Sequence, residues 1–369
     1  MPGLERSIAK MFCIGFAGTT LTDDVLSLLK RGVANVILFK RNCDTAEQVA
    51  DLCADIKEKA GHPVLISVDQ EGGRVQRLGR PFTPIPPMRA VGQVNDPDLA
   101  MEVGKILGRE LRAVNIDIDF APVLDVDTNP NNPVIASRSL SADPTIVAKL
   151  GCAILRGIQS EGIAACGKHF LGHGDTSQDS HLTLPRITHP MARLEQIELP
   201  PFKAAIDANV ASIMTAHVIF EAIDKDYPVT MSPAALNGIL RDRFKFTGAI
   251  FSDDMEMKAI AAHYDLQDAL IRGVTAGIDI FPISHTHETQ NRAIDLLLKA
   301  ASRRKTLRDR IDQANHRIDT LTALYYHPPT RGPLPAYLGS KQHHVITERV
   351  KKLCGESALA EGRDPTHFL

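Results

Sequence analysis

Eight short apolar runs constrain this chain more than any other feature. They are MFCIGF (11–16), NVILFK (35–40), VLISVD (64–69), IDFAPVLD (118–125), AACGKHF (164–170), SIMTAH (212–217), GAIFSDD (248–254) and GIDIFP (277–282). Most are followed by a segment of helical period, such as DTAEQVADLCADIKEKAG, LAMEVGKILGRELRAV, TIVAKLGCAILRGIQSEG and MARLEQIELPPFKAAIDAN. Strands so uniformly apolar belong to a parallel sheet covered on both faces. Eight strand–helix units predict an α/β fold, a (β/α)8 TIM-type barrel. The competing fold is an open doubly wound sheet. It calls for a glycine-rich phosphate turn near the first strand, and GFAG (15–18) is a poor version of one.

A barrel of that size needs a large core, and 44% hydrophobic residues in 369 supply it. The net charge of −2 carries no basic excess for nucleic acid, and no polybasic cluster marks a membrane surface. No apolar run is long enough to span a bilayer, and MPGLERSIAKMFCIGFAG lacks a signal-peptide cleavage site. Cys13, Cys43, Cys53, Cys152, Cys166 and Cys354 form no CxxC pair. Buried free thiols in a reducing compartment are expected, hence a cytoplasmic location. The catalytic barrel is expected over 1–328. Residues 329–369 are expected to form a proline-rich linker and a helical extension, the latter from HHVITERVKKLCGESALAE.

Polar residues cluster where such barrels carry their active sites, at the C-terminal strand ends. Lys40 and Arg41, Asp69, Asp125 and Asp127, Lys168 and His169, His217, and Asp253 and Asp254 each close an apolar run. The densest stretch is KHFLGHGDTSQDSHLTLP (168–185), with Lys168, His169, His173, Asp175, Asp179 and His181. Its glycines predict an irregular loop leaving a buried strand, where chemistry tends to sit.

Each group has more than one reading. In an extended segment neighbouring side chains point oppositely, so one of Asp253 and Asp254 could face the barrel axis as nucleophile or base. The same pair could instead cap a helix. Asp179 and His181 are spaced to pair, the Asp setting the ring tautomer of a general acid/base, or merely closing a loop. His169, His173, Asp175 and His181 are metal-ligand types, but their spacing matches no established pattern. Lys168 suits either a Schiff base or a charged substrate anchor. Asp69 and Arg77, in SVDQEGGRVQRLGRPFTPIPP, could bridge sugar hydroxyls or form a surface salt bridge. Arg138 follows the fourth run in PNNPVIASRSL.

Taken together, KH-x-x-GHGDT-x-x-DSH-x-x-LP at 168–185, SDD at 252–254, DQEGGRVQRL at 69–78 and RS at 138–139 resemble glycoside hydrolase family 3. The likeness is to its short single-domain bacterial β-N-acetylglucosaminidases and spans roughly residues 11–325. It implies Asp253 as nucleophile, His181 as general acid/base, and Asp179 as its partner. Asp69, Arg77, Arg138, Lys168 and His169 match positions that hold the terminal sugar. The resemblance implies no metal and no cofactor. It also implies a retaining exo-glycosidase releasing β-linked N-acetylglucosamine from a muropeptide or similar carbohydrate in peptidoglycan recycling; a monomer is expected. A broader β-glycosidase, a phosphorylase and a catalytically dead sugar-binding barrel are the alternatives. Leu171 departs from the pattern, which usually has proline there, and MEM (255–257) stands where an aliphatic residue often follows the aspartates.

Overall fold

The computed structural model describes residues 2–177, 180 and 183–360. All eight apolar runs contribute barrel strands: β1 (Phe12–Ile14), β2 (Asn35–Leu38), β3 (Leu65–Val68), β4 (Ile118–Asp119), β5 (Ala164–Phe170), β6 (Ser212–Thr215), β7 (Ala249–Phe251) and β8 (Phe281–Ile283). Every neighbouring pair is parallel, in sequence order, and β8 lies beside β1. A parallel bridge from Phe251 to Ile280 closes the ring. These are the strands of a (β/α)8 barrel, so the open sheet is excluded.

Two boundaries differ from expectation. The fourth strand ends at Asp119 instead of Asp125. Pro122 has no N–H to give the ladder, and pairing resumes only as a bridge between Val123 and Lys168. The segment MARLEQIELPPFKAAIDAN folds as two helices, Met191–Gln196 and Leu199–Asp207, with Pro200 and Pro201 opening the second. Proline is accepted in a first helical turn and rejected in an interior.

The barrel interior carries apolar side chains. Phe120 and Phe251 pack edge to face inside it, with centroids 5.2 Å apart. Small residues bring the helices close. A Cβ on Gly104 would lie 2.3 Å from the Ile154 carbonyl oxygen, and one on Gly157 would lie 2.3 Å from that of Met101. These two glycines let helices Pro97–Arg112 and Pro144–Ser160 touch backbone to backbone.

Beyond the barrel, helix Lys341–Cys354 packs on helices Met88–Val94 and Pro97–Arg112. Glu110 fastens it. Its carboxylate accepts the Gly339 N–H at 3.0 Å and pairs with His343 Nδ1 at 2.7 Å. All six cysteines are free, five buried and Cys43 half-buried. Among the described residues no helix is long and apolar enough to cross a membrane.

Candidate active site

A pocket opens at the C-terminal end of the strands. Asp69, Arg138, Lys168, His169 and Asp253 all line it, with Phe39, Phe120 and Met214 as apolar wall.

The charged floor starts from β3 and β5. Asp69 leaves β3, and a short hairpin of Gln70–Gly72 and Val75–Gln76 follows. Residues two apart on an extended segment share a face, so Asp69 and Glu71 both reach Lys168. Lys168 Nζ lies 2.7 Å from Asp69 Oδ1 and 2.6 Å from Glu71 Oε1. Arg138 grips Glu71 with Nε at 2.8 Å and a terminal nitrogen at 2.7 Å. Such a two-pronged pair fixes direction as well as charge. Burial alone would raise the Glu71 pKa, but Arg138 and Lys168 outweigh it and hold the carboxyl well below its ordinary range. Burial likewise pulls Lys168 down, but Asp69 and Glu71 reverse the sign and raise it. A lysine kept charged is a poor Schiff-base nucleophile and a good hydroxyl donor. Arg77 reaches this cluster through Asp69, 3.7 Å away.

The second wall is histidine. Asp125 Oδ2 lies 2.7 Å from His169 Nδ1, which leaves Nε2 for the pocket. The same carboxylate accepts the His173 N–H at 2.6 Å. The Lys168–His169 and Phe170–Leu171 peptide bonds are cis. Leu171 is fully buried, so its aliphatic side chain fills core space where the pattern has proline.

Asp253 follows β7. Its Oδ1 accepts the Asp254 N–H at 2.8 Å, a bond that turns the backbone out of the strand. For that reason the two aspartates do not alternate as an extended chain would have them, and both line the pocket. Neither caps a helix, because the next one, Lys258–Ala261, begins after Met257. Asp254 Oδ1 accepts the Glu256 N–H at 2.8 Å. Burial pushes Asp254 up to about 7, although Ser284 and the Glu256 amide pull the other way.

Glu71 and Asp125 carry no assigned role in the sequence reading, yet they organise the two walls. The signal for Glu71 was its spacing of two from Asp69. Asp125 was visible only as one more strand-end charge. Asp179 and His181 lie outside the described residues, and Ser180 between them is described. Among the described residues no group of three or more His, Cys, Asp or Glu side chains is arranged to hold a metal.

A barrel whose C-terminal face gathers a carboxylate and a paired Lys, Arg and Asp cluster in one pocket has the groups that glycoside chemistry calls for. The family profile described as "Glycosyl hydrolase family 3 N terminal domain" matches residues 4–321, and the chain belongs to this family. A β-hexosaminidase of Thiobacillus denitrificans is 35% identical over 362 residues, covering 95% of this chain and 96% of its own. The solved family 3 β-N-acetylglucosaminidase of a Paenibacillus strain superposes with a TM-score of 0.90 at 37% identity, over 95% of this chain and 68% of its own. NagZ of Neisseria gonorrhoeae, solved with N-trifluoroacetyl-D-glucosamine, gives 0.77 at 30% identity, over 94% and 98%. A zinc-bound form of that gonococcal protein has also been solved.

Proposed function

We propose that this chain, a family 3 β-N-acetylhexosaminidase by relationship, releases terminal β-linked N-acetylglucosamine from muropeptide-type substrates with retention at the anomeric carbon. One observation carries the reading. Asp253 shares a single pocket with Asp69, Lys168, Arg138 and His169, so a carboxylate faces a cluster built to hold sugar hydroxyls. Lys168 and Arg138 donate to hydroxyl oxygens, Asp69 accepts from hydroxyl protons, and His169 Nε2 reaches one more. Arg77 holds Asp69. The barrel over 1–328 carries all of this chemistry, and helix Lys341–Cys354 braces it.

The reaction runs in two steps. Asp253 attacks the anomeric carbon while His181, supported by Asp179, protonates the departing oxygen. The bond to the aglycone breaks and an ester to Asp253 forms. His181 then takes a proton from water, the water oxygen bonds to the anomeric carbon, and Asp253 leaves as carboxylate. A histidine donor avoids a second carboxylate beside the nucleophile, where like charges would oppose ionisation. The buried free thiols fit a reducing cytoplasm.

The test is turnover of aryl N-acetylglucosaminide, glucoside and xyloside, with and without phosphate, followed by proton NMR. Selective cleavage of the N-acetylglucosaminide with the β-anomer appearing first is expected. The α-anomer first would overturn retention, and a sugar 1-phosphate would make the enzyme a phosphorylase. No turnover of any glycoside would make the barrel a binding protein.

A further inference from the structure

The acid/base segment has one described residue, Ser180, and its surroundings are unusual for a loop serine. Ser180 is 1% exposed. Its Oγ lies 2.8 Å from His173 Nε2, and its carbonyl accepts the Ala259 N–H at 3.3 Å. Ala259 belongs to Lys258–Ala261, the first helix after Asp253. Ser180 also lines the same pocket as Asp253. One serine therefore joins the loop to both walls of the site.

His173 is itself immobilised. Its N–H goes to Asp125, and its carbonyl accepts Asn132 Nδ2 at 2.8 Å and the Thr176 hydroxyl at 3.0 Å. Its Nδ1 lies 2.8 Å from the same Thr176 Oγ1. Thr176 has a single hydroxyl proton. That proton goes either to the carbonyl, which Asn132 also satisfies, or to Nδ1. In either tautomer Nε2 and the Ser180 hydroxyl share one hydrogen bond. Burial supports this neutral ring, lowering His173 to about 4.

We infer that the Ser180 hydroxyl, held by His173, is the anchor that positions the acid/base pair Asp179–His181 against the nucleophile. The inference rests on the proposed role of His181. Consecutive Cα atoms lie about 3.8 Å apart, so whatever fixes Ser180 limits how far its sequence neighbours travel. Ser180 and His173 are positioning residues, since neither needs to touch the reacting atoms. A general acid misplaced by about 1 Å can cost on the order of 100-fold in rate. The loss should grow as the leaving group worsens, because a good leaving group departs without a proton.

The experiment compares Ser180→Ala, Ser180→Thr, His181→Ala and the Ser180→Ala/His181→Ala double variant. Each is assayed on an alkyl and a dinitrophenyl N-acetylglucosaminide, with thermal melting as the folding check. Ser180→Ala is expected to lower kcat on the alkyl glycoside roughly 10- to 100-fold. On the activated one it should lower kcat by less than about 3-fold, with the acidity-dependent limb of the pH profile displaced. Ser180→Thr keeps a hydroxyl and should recover most of the loss. The double variant should be no slower than His181→Ala, since the anchor acts only through His181. Equal losses on both substrates for Ser180→Ala, or none on either, with a selective loss for His181→Ala, overturn the anchor and leave the acid/base reading standing. Equal losses for His181→Ala overturn that reading and the anchor with it.

Discussion

The two ends of this barrel bury the same chemistry and put it to different use. At the N-terminal end, Lys57 and Asp117 pair at 2.7 Å with both side chains fully buried. The second Asp117 oxygen accepts the Ile66 N–H at 2.9 Å, and Lys57 also reaches the His327 carbonyl at 3.1 Å. Asp279 is held there by Arg241 at 2.7 Å, Arg317 at 2.9 Å and the Ile250 N–H at 2.9 Å. Both carboxylates have each oxygen taken by the protein. At the C-terminal end, Asp69, Lys168 and Arg138 form equally short pairs but also line a cavity. The lesson is that a buried ion pair is not by itself a functional signal. Hydrogen-bonding capacity left facing a cavity is.

The largest effect should come from the open end. Asp253→Asn keeps the shape and the Asp254 N–H contact but removes the nucleophile. Turnover should fall by at least about 10⁴-fold, in line with losses when a nucleophile is deleted. Thermal melting should stay close to that of the parent. A fluorinated N-acetylglucosamine donor should label Asp253 in the parent, read by peptide mass spectrometry. Label on Asp254, with Asp253→Asn still active, would reassign the nucleophile.

The closed end should respond in the opposite way. Asp117→Asn strands Lys57 in the interior, and breaking a buried pair costs about 3–5 kcal/mol. Replacing both with apolar residues should recover much of that. In each case kcat per folded molecule should match the parent. Denaturant unfolding and active-site titration measure the two quantities. A fall in kcat with stability intact would show that the two ends are coupled.

This contrast also explains what the sequence made legible. Strand alternation, the buried parallel sheet and the catalytic face followed from apolar runs that end in charge. Asp253, Lys168, His169, Asp69 and Arg138 were read as site residues, and they line one pocket. Glu71 and Asp125 were passed over because their importance lies in which cation each one meets across the barrel. That pairing is set by tertiary contact between β3, β4, β5 and the Arg138 loop, and no local pattern encodes it. The same holds for the turn that brings Asp254 to the pocket beside Asp253, whereas Pro122 is a local signal against a long fourth strand.

A smaller effect tests Asp254, an open-end carboxyl whose ion-pair contact, His285 Nε2, is a long 3.9 Å away. Its pKa is raised to about 7 by burial, from the ordinary carboxylate value. A raised acid is favoured protonated in the fold. Its contribution is therefore full below the unfolded pKa and is lost as pH climbs through about 7. At pH 8 the charged form should cost up to a few kcal/mol. Asp254→Asn removes that cost. The variant should gain melting temperature over the parent at pH 8 and gain less at pH 5. A pH-independent difference would mean that Asp254 is already ionised throughout. Glu71 should behave oppositely. Its depressed pKa contributes stability above the ordinary glutamate value and loses it only in strong acid, so it should not shape the working pH profile.

The smallest expected effect is none, on removal of divalent metal. Among the described loop residues of ligand type, His173 and Asp175 are committed to protein partners, as the closed-end charges are, while His169 keeps only Nε2 for the pocket. His169 Nδ1 faces Asp125, and both His173 ring nitrogens are engaged by Thr176 and Ser180. Asp175 takes the Thr128 hydroxyl at 2.6 Å and pairs with His189 and Arg193. Zinc needs deprotonated, available lone pairs in close to tetrahedral array. Recruiting His173 or Asp175 would break the bonds that hold the pocket wall. A gonococcal relative does bind zinc in one of its structures, so the question is open to measurement in this chain. Exhaustive chelation with EDTA and dipicolinate, followed by metal analysis of the protein, should leave kcat and KM unchanged. Loss of activity restored by zinc and not by magnesium would overturn this account. His169 and His181 would then serve an ion, and the two ends of the barrel would differ in cofactor as well as in openness.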